Sequence, residues 1–295
     1  MRNITPPYET KRDDKRQDEV VATAWERFWA DGMSSPDEIY PNSQRIVRII
    51  RKEQSPQPIL EVGAGSGRDS VTLAADGVSI IILDISASSL KMAGLVAERN
   101  GVRISVVRAD ARALPFRNKT IGTVFHQGVL EHFESPDRVL EENRRVLKND
   151  GHLLVDVPQT FHPWTVLKHI LIPFGLWFGG PETQFSPLQL KRMVEKKGFS
   201  IRSVYGEWMH PSLMYRLIRE LGKKTGIWRL PLYPKIPSCI TFWRRVDAAL
   251  FRGKLECWTG YVVGVLAVKS ERGTAGLSHV SDTGIASHHD IGTDT

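Results

Sequence analysis

Ile59-Leu60-Glu61-Val62-Gly63-Ala64-Gly65-Ser66-Gly67-Arg68 is the stretch from which the fold of this chain is read. The apolar run after Pro58 has the pattern of a buried strand, and the glycines behind it permit a sharp turn and a close backbone approach to a ligand before a helix opens near Arg68. Arg68 stands where a dinucleotide-binding turn would place its third glycine. A pyrophosphate on the helix N-terminus is therefore served less well than a ligand without phosphates. Taken alone, the motif fits either such a ligand or a purely structural turn.

Outward from this turn, continuous apolar runs alternate with helical patterns. The helix from Arg68 stops at Asp76-Gly77, and Val78 to Leu83 reads as a second buried strand ending at Asp84. Ser86 is placed to cap a helix that runs to about Arg99, and Val102 to Val107 is a third strand. Ile121 to Phe125 makes a fourth. Ser135-Pro136 opens a helix, with the serine as cap and the proline in the first turn, and His152 to Val157 is a fifth strand. Ser186 and Gln189 have capping-box spacing for a helix closing at Gly198, followed by strands over Ser200 to Tyr205 and Gly260 to Lys269. The alternation predicts an α/β fold, a Rossmann-like doubly wound sheet with its ligand at the C-terminal strand ends and helical insertions.

The chain divides into an N-terminal helical cap (1–44), a core (45–207 with 259–270), and a lid-like insertion within it (161–185). A basic, Trp-rich insertion (208–258) and a disordered tail (271–295) complete it. In the cap, Val20, Val21, Ala24, Trp25, Phe28 and Trp29 share a helix face that packs on the domain or covers a ligand pocket. Composition narrows the class. With 295 residues, 41% of them apolar, the chain fills one large domain, and its net charge of +7 favours acidic partners. Its two cysteines exclude a disulfide framework and a four-cysteine metal site, and no metal is expected. Met1 to Val20 has no apolar core of a signal peptide, so a cytoplasmic location is expected. Lys168, His169 and Pro173 break the apolar segment after Pro163, which leaves peripheral contact with a membrane rather than a span.

Asp84, at the end of the second strand, can accept hydrogen bonds from both hydroxyls of a ribose, or it caps the next helix. Asp110, after the third strand, is placed to meet an adenine amino group.

Together with E-V-G-A-G-S-G-R, two later stretches, Ala113-Leu114-Pro115-Phe116 and Gly128-Val129-Leu130-Glu131-His132, resemble the motifs of class I S-adenosylmethionine-dependent methyltransferases of the type 11 family. The resemblance covers roughly residues 45–205, with one departure: Gly122 stands where the family usually has aspartate. It implies seven strands with the last antiparallel, S-adenosylmethionine as cofactor, and a donor site built from Glu61, Gly63, Gly65, Asp84, Ile85, Asp110, Ala111 and Gln127. For an acceptor hydroxyl, His132 is the candidate base, since an imidazole titrates near neutrality; positioning without base catalysis is the alternative. His126, His162 and Trp164 are candidate acceptor contacts.

The reading that follows is methylation of a small molecule, with oxygen of a glycan, lipid-linked compound or other secondary metabolite as the favoured acceptor. The segments 161–180 and 208–258 offer contact with an anionic membrane surface. RNA methylation, which the charge would suit, lacks a recognisable RNA-binding module or flipped-base motif, so nucleic acid is an unlikely partner. A non-catalytic membrane-peripheral or scaffolding role that retains the cofactor fold is the remaining alternative.

Overall fold

The structure, a computed structural model, describes residues 22–30, 44–163, 165–166, 169, 182–207, 215, 218–219, 221–222, 225–231 and 256–270. A first helix, α1 (22–30), precedes α2 (Arg45–Lys52), β1 (Ile59–Val62), α3 (Arg68–Ala75), β2 (Ile80–Asp84), α4 (Ala87–Arg99) and β3 (Ser105–Arg108). There follow β4 (Ile121–Gln127), a single 3-10 turn (Leu130–His132), α5 (Asp137–Val146), β5 (Leu147–Pro158), α6 (Pro187–Lys196), β6 (Phe199–Glu207), α7 (Glu256–Thr259) and β7 (Val262–Lys269). The seven strands form one sheet in the order β3-β2-β1-β4-β5-β7-β6. Its first five strands are parallel, and β7 runs antiparallel between β5 and β6. This is the Rossmann-like sheet expected from the alternation, with the last strand reversed.

Helices cover both faces, which is why the central strands carry continuous apolar runs. On one face Ile46, Val47 and Ile50 of α2, Leu73 of α3 and Leu90 and Ala93 of α4 pack on Ile59, Ile80, Ile82, Phe125 and Leu154. On the other, Val139, Leu140 and Val146 of α5 and Leu190 and Val194 of α6 pack on Leu60, Val62, Val124, Leu153 and Val155. Consecutive strand residues go to opposite clusters, as the two-residue period of a strand requires. A buried Arg45 fastens α2 to the far edge by pairing with Asp156 of β5 and Glu207 of β6.

Most caps are where the sequence puts them. Ser86 accepts a hydrogen bond from the Ser89 amide, and Ser186 with Gln189 forms the reciprocal capping box. The start of α5 differs: Pro136 is the N-cap, no side chain caps the helix, and Ser135 lies outside it. The third strand is shorter than its apolar pattern, beginning at Ser105, because Val102 turns back to bond the Ala97 carbonyl at the end of α4.

Gly122 has a local explanation. A Cβ there would stand 2.4 Å from the Pro56 carbonyl oxygen and 2.7 Å from the Gln57 nitrogen. The segment leading into β1 crosses directly over β4, the Gly122 amide donates to the Pro58 carbonyl at 2.9 Å, and no side chain fits between. The departure from the family pattern is a packing choice remote from the glycine turn.

Candidate active site

The turn after β1 is built by backbone geometry. Gly63, Gly65 and Gly67 all have left-handed φ, of 64°, 52° and 63°, and the Gly63 amide donates to the Leu83 carbonyl at the end of β2. Gly67 then serves as N-cap of α3. Asp84 closes the turn from the neighbouring strand: one carboxylate oxygen accepts from the Gly65 amide at 3.0 Å and the other from the Ser86 amide at 2.9 Å. The residue is therefore both a loop fastener and a cap, with lone pairs left for a ribose. Burial raises its pKa despite these amide donors.

Two further acids lie beneath the turn. Glu61 of β1 is 5% exposed and one of its carboxylate oxygens has no hydrogen-bond partner among the described residues. Burial, with Asp69 and Asp84 nearby, pushes its pKa up to about 8. Asp69, in the first turn of α3 and 1% exposed, accepts at 2.7 Å from the Gln127 side-chain amide at the end of β4. Such a floor suits a cationic ligand and opposes a polyphosphate, since acids so close together disfavour further negative charge. S-adenosylmethionine, with a sulfonium and an ammonium, fits this cradle.

Asp110 projects from the turn after β3, but its carboxylate is forked onto Arg112 of the same turn, at 2.7 Å to the terminal nitrogen. That guanidinium lies 5.4 Å from the centre of the Phe133 ring, so Arg112 links the expected adenine end to the segment after β4. Its pairing holds Asp110 below the usual carboxylate range, against the effect of burial. Ile85 is exposed beside Asp84, and Ala111 is buried beside Asp110.

Helix α1 lies across this site. The indole of Trp29 sits against Gly65, and Glu26 accepts from the Ser88 hydroxyl at 2.5 Å at the start of α4. Trp25 meets the His132 ring edge-on at a centroid distance of 5.3 Å. The apolar face of this helix, expected to pack on the domain or to cover a ligand pocket, packs on the glycine turn and the 3-10 turn through these contacts. Residues 1–21 and 31–43 of the expected cap lie outside the described residues.

The histidines separate. His132, in the 3-10 turn after β4, is half-buried against the Trp25 ring. His126 does not join it: this fully buried side chain points to the α5 face, where Asn143 Nδ2 is 3.1 Å from its Nε2, and burial pushes its pKa down to about 3. The expectation that it touches an acceptor is corrected by strand parity, because Gln127 and not His126 faces the glycine turn. His162 is buried near the end of β5 with its ring 5.4 Å from that of Tyr261. Beside it Phe161 and Trp258 stack at 6.2 Å, both exposed. Trp164 lies outside the described residues, as do most of the expected lid and basic insertion and all of the tail.

Sequence reasoning missed Asp69, Arg112 and Glu26. The first two sit one and two positions beyond residues it singled out; the third carries no sequence signal, since its partner Ser88 is brought to it only by the fold.

Residues 60–155 match the family model of the methyltransferase domain. That stretch, from β1 into β5, carries a methyltransferase domain. Among the curated proteins it resembles, a demethylmenaquinone methyltransferase of Renibacterium salmoninarum is 34% identical over 34% of this chain and 40% of its own length. A ubiquinone biosynthesis O-methyltransferase of Roseobacter denitrificans is 25% identical over 57% of this chain and 75% of its own. For the curated relatives that match at 34% identity, the match spans about half of their length or less. A SAM-dependent methyltransferase structure from Thermotoga maritima superposes with a TM-score of 0.54 at 20% identity, over 85% of this chain and all of that one, which establishes the methyltransferase fold. No helix among the described residues is long and apolar enough to cross a membrane, and they hold no metal-binding cluster.

Proposed function

We propose that this chain transfers a methyl group from S-adenosylmethionine to an oxygen of a small apolar acceptor, with a quinone-precursor phenol as the favoured class. The observation that carries the reading is the acid-floored glycine turn, in which the buried Glu61, Asp69 and Asp84 lie at a turn of three left-handed glycines roofed by Trp29. Bound there, the donor supplies an electrophilic methyl group already activated by a positive sulfur. The chain's own task is orientation, water exclusion and, for a phenol, proton removal.

Asp84, held in place by the Gly65 and Ser86 amides, accepts from the ribose hydroxyls, and Asp110 with Ala111 receives the adenine. Helix α1 excludes water through Trp25 and Trp29. His132 takes the acceptor's proton from its place beside Trp25. The exposed Phe161–Trp258 pair at the same edge of the sheet suits a flat apolar acceptor, in keeping with the names of the quinone-pathway relatives. Neither those names nor the described residues support a membrane surface or nucleic acid as partner.

Calorimetric titration with S-adenosylmethionine and S-adenosylhomocysteine tests the donor site, with micromolar binding expected and loss expected in Asp84→Ala. Mass-spectrometric turnover assays on reduced demethylquinones and simple catechols then test the acceptor. Donor binding without methylation of any phenol would sink the acceptor class and keep the donor reading.

A further inference from the structure

At the opposite end of the sheet from the glycine turn lies an open cleft of about 560 Å³. It is framed by the turn before β4, by α5, by the end of α6 and by the end of β7, and Lys119, Arg144, Arg145, Lys196, Lys197 and Lys269 line it against one acid, Glu141. Two of these cations are already neutralised. The Lys197 ammonium sits 2.9 Å from Glu141 and 3.1 Å from Asp137, and Arg145 forks onto Glu142 at 2.8 Å.

The other four have no ion pair among the described residues. Arg144 donates to the carbonyls of Gly198 at 3.4 Å and Ser270 at 3.2 Å, which carry no formal charge. Lys269 is 7% exposed, and its ammonium donates to the Leu147 carbonyl. A buried ammonium without a counter-charge is costly to desolvate. Burial lowers the Lys269 pKa, and Arg144 and Lys119 lower it further by repulsion, so the cleft holds a positive field that the protein does not cancel. Lys119 and Lys196 are exposed at its rim.

We propose that this cleft binds the phosphate group of a small phosphorylated ligand, with Lys119 and Lys196 as direct partners and Arg144 and Lys269 supplying the field behind them. Flexible ammonium groups act as point charges that adapt to a compact dianion. The volume falls within the roughly 300–1,000 Å³ of small-ligand sites. The cleft is at the end of the sheet remote from the donor turn, so its occupancy is independent of the methyl-transfer reading.

The test is titration of the full chain with inorganic phosphate and adenosine monophosphate at constant ionic strength, with chloride and acetate as controls and a short single-stranded oligonucleotide as the polyanion arm. Saturable binding of phosphate and of the nucleotide is expected, weakened at least tenfold in Lys119→Ala/Lys196→Ala and retained in Lys196→Arg. Both substituted side chains are exposed, and unchanged S-adenosylhomocysteine binding verifies that the double variant folds. No saturable response beyond that of chloride, or equal affinity in the double variant, overturns the proposal. So does an oligonucleotide that binds far more tightly than the monophosphate, with a steep dependence on salt, because the cleft would then be a polyanion surface.

Discussion

The ring of Trp29 lies so close over Gly65 that a Cβ on that glycine would stand 2.8 Å from Trp29 Cζ2. Helix α1 is thereby held at three places, on the glycine turn through Trp29, on α4 through Glu26 and Ser88, and on the 3-10 turn through Trp25 and His132. The glycine turn, the start of α4 and the candidate base share one roof.

Gly65→Ala is expected to weaken donor binding by at least tenfold, about 1.4 kcal/mol, because the new methyl meets Trp29 and the residue must hold a left-handed φ of 52°. Trp29→Ala removes the collision but not the backbone strain. The double variant therefore recovers only part of the loss, as a calorimetric double-mutant cycle would read. Full recovery would mean that the backbone conformation contributes nothing.

Glu61 couples donor binding to protons. Burial raises its pKa to about 8 in the folded chain, so at neutral pH it keeps a proton that an unfolded glutamate has lost. The cationic donor favours the carboxylate, so binding is expected to release a proton near pH 7 and to tighten as pH rises through about 8. Stability changes in the opposite sense. The folded state binds the extra proton, so the contribution of this group is lost as pH rises from the ordinary value of 4.5 towards about 8. Glu61→Gln flattens both profiles; titrations in buffers of different ionisation enthalpy read the first and thermal unfolding across pH the second.

Gly122→Ala is expected to destabilise the fold by about 1–3 kcal/mol, since its methyl is directed at the Pro56 carbonyl 2.4 Å away. Donor affinity of the folded fraction stays unchanged, because the clash lies at the opposite end of β4 from Gln127. Denaturant midpoints and a donor titration on the same sample separate the two effects.

His132→Asn and His126→Asn are expected to behave differently. If the imidazole of His132 takes the acceptor proton, its replacement lowers kcat by roughly 10²–10⁴ with donor affinity retained. His126 is neutral in its buried site across the working pH range, so its replacement leaves the pH profile of turnover in place. Turnover at several pH values in both variants is the measurement, and an altered profile in the His126 variant would return that residue to the site.

Elements with strong local signals are legible in the order of residues. The helix from Arg68 to Ala75, the Ser86 cap and the Ser186–Gln189 capping box all rest on interactions within a few residues of one another, and the glycine turn on the left-handed conformations that its glycines permit. Their outcome is set by backbone conformation and near-neighbour hydrogen bonds, which the sequence specifies directly. Even there the margin is narrow: Ser135 has the right chemistry for a cap, yet Pro136 takes the N-cap position.

The sequence by itself determined the alternation of strands and helices, the end of the sheet at which the glycine turn lies, and which acids stand at the strand ends beside it. Tertiary structure decided what those residues meet. Glu26 reaches Ser88 across 62 positions, and Arg45 joins Asp156 and Glu207 across 111 and 162. Gly122 is required by a segment that crosses it in space, and His126 is turned from the site by the parity of β4. Burial and charge are sums over neighbours brought together from distant positions, so neither the raised pKa of Glu61 nor the uncancelled field at Lys269 exists until the sheet closes.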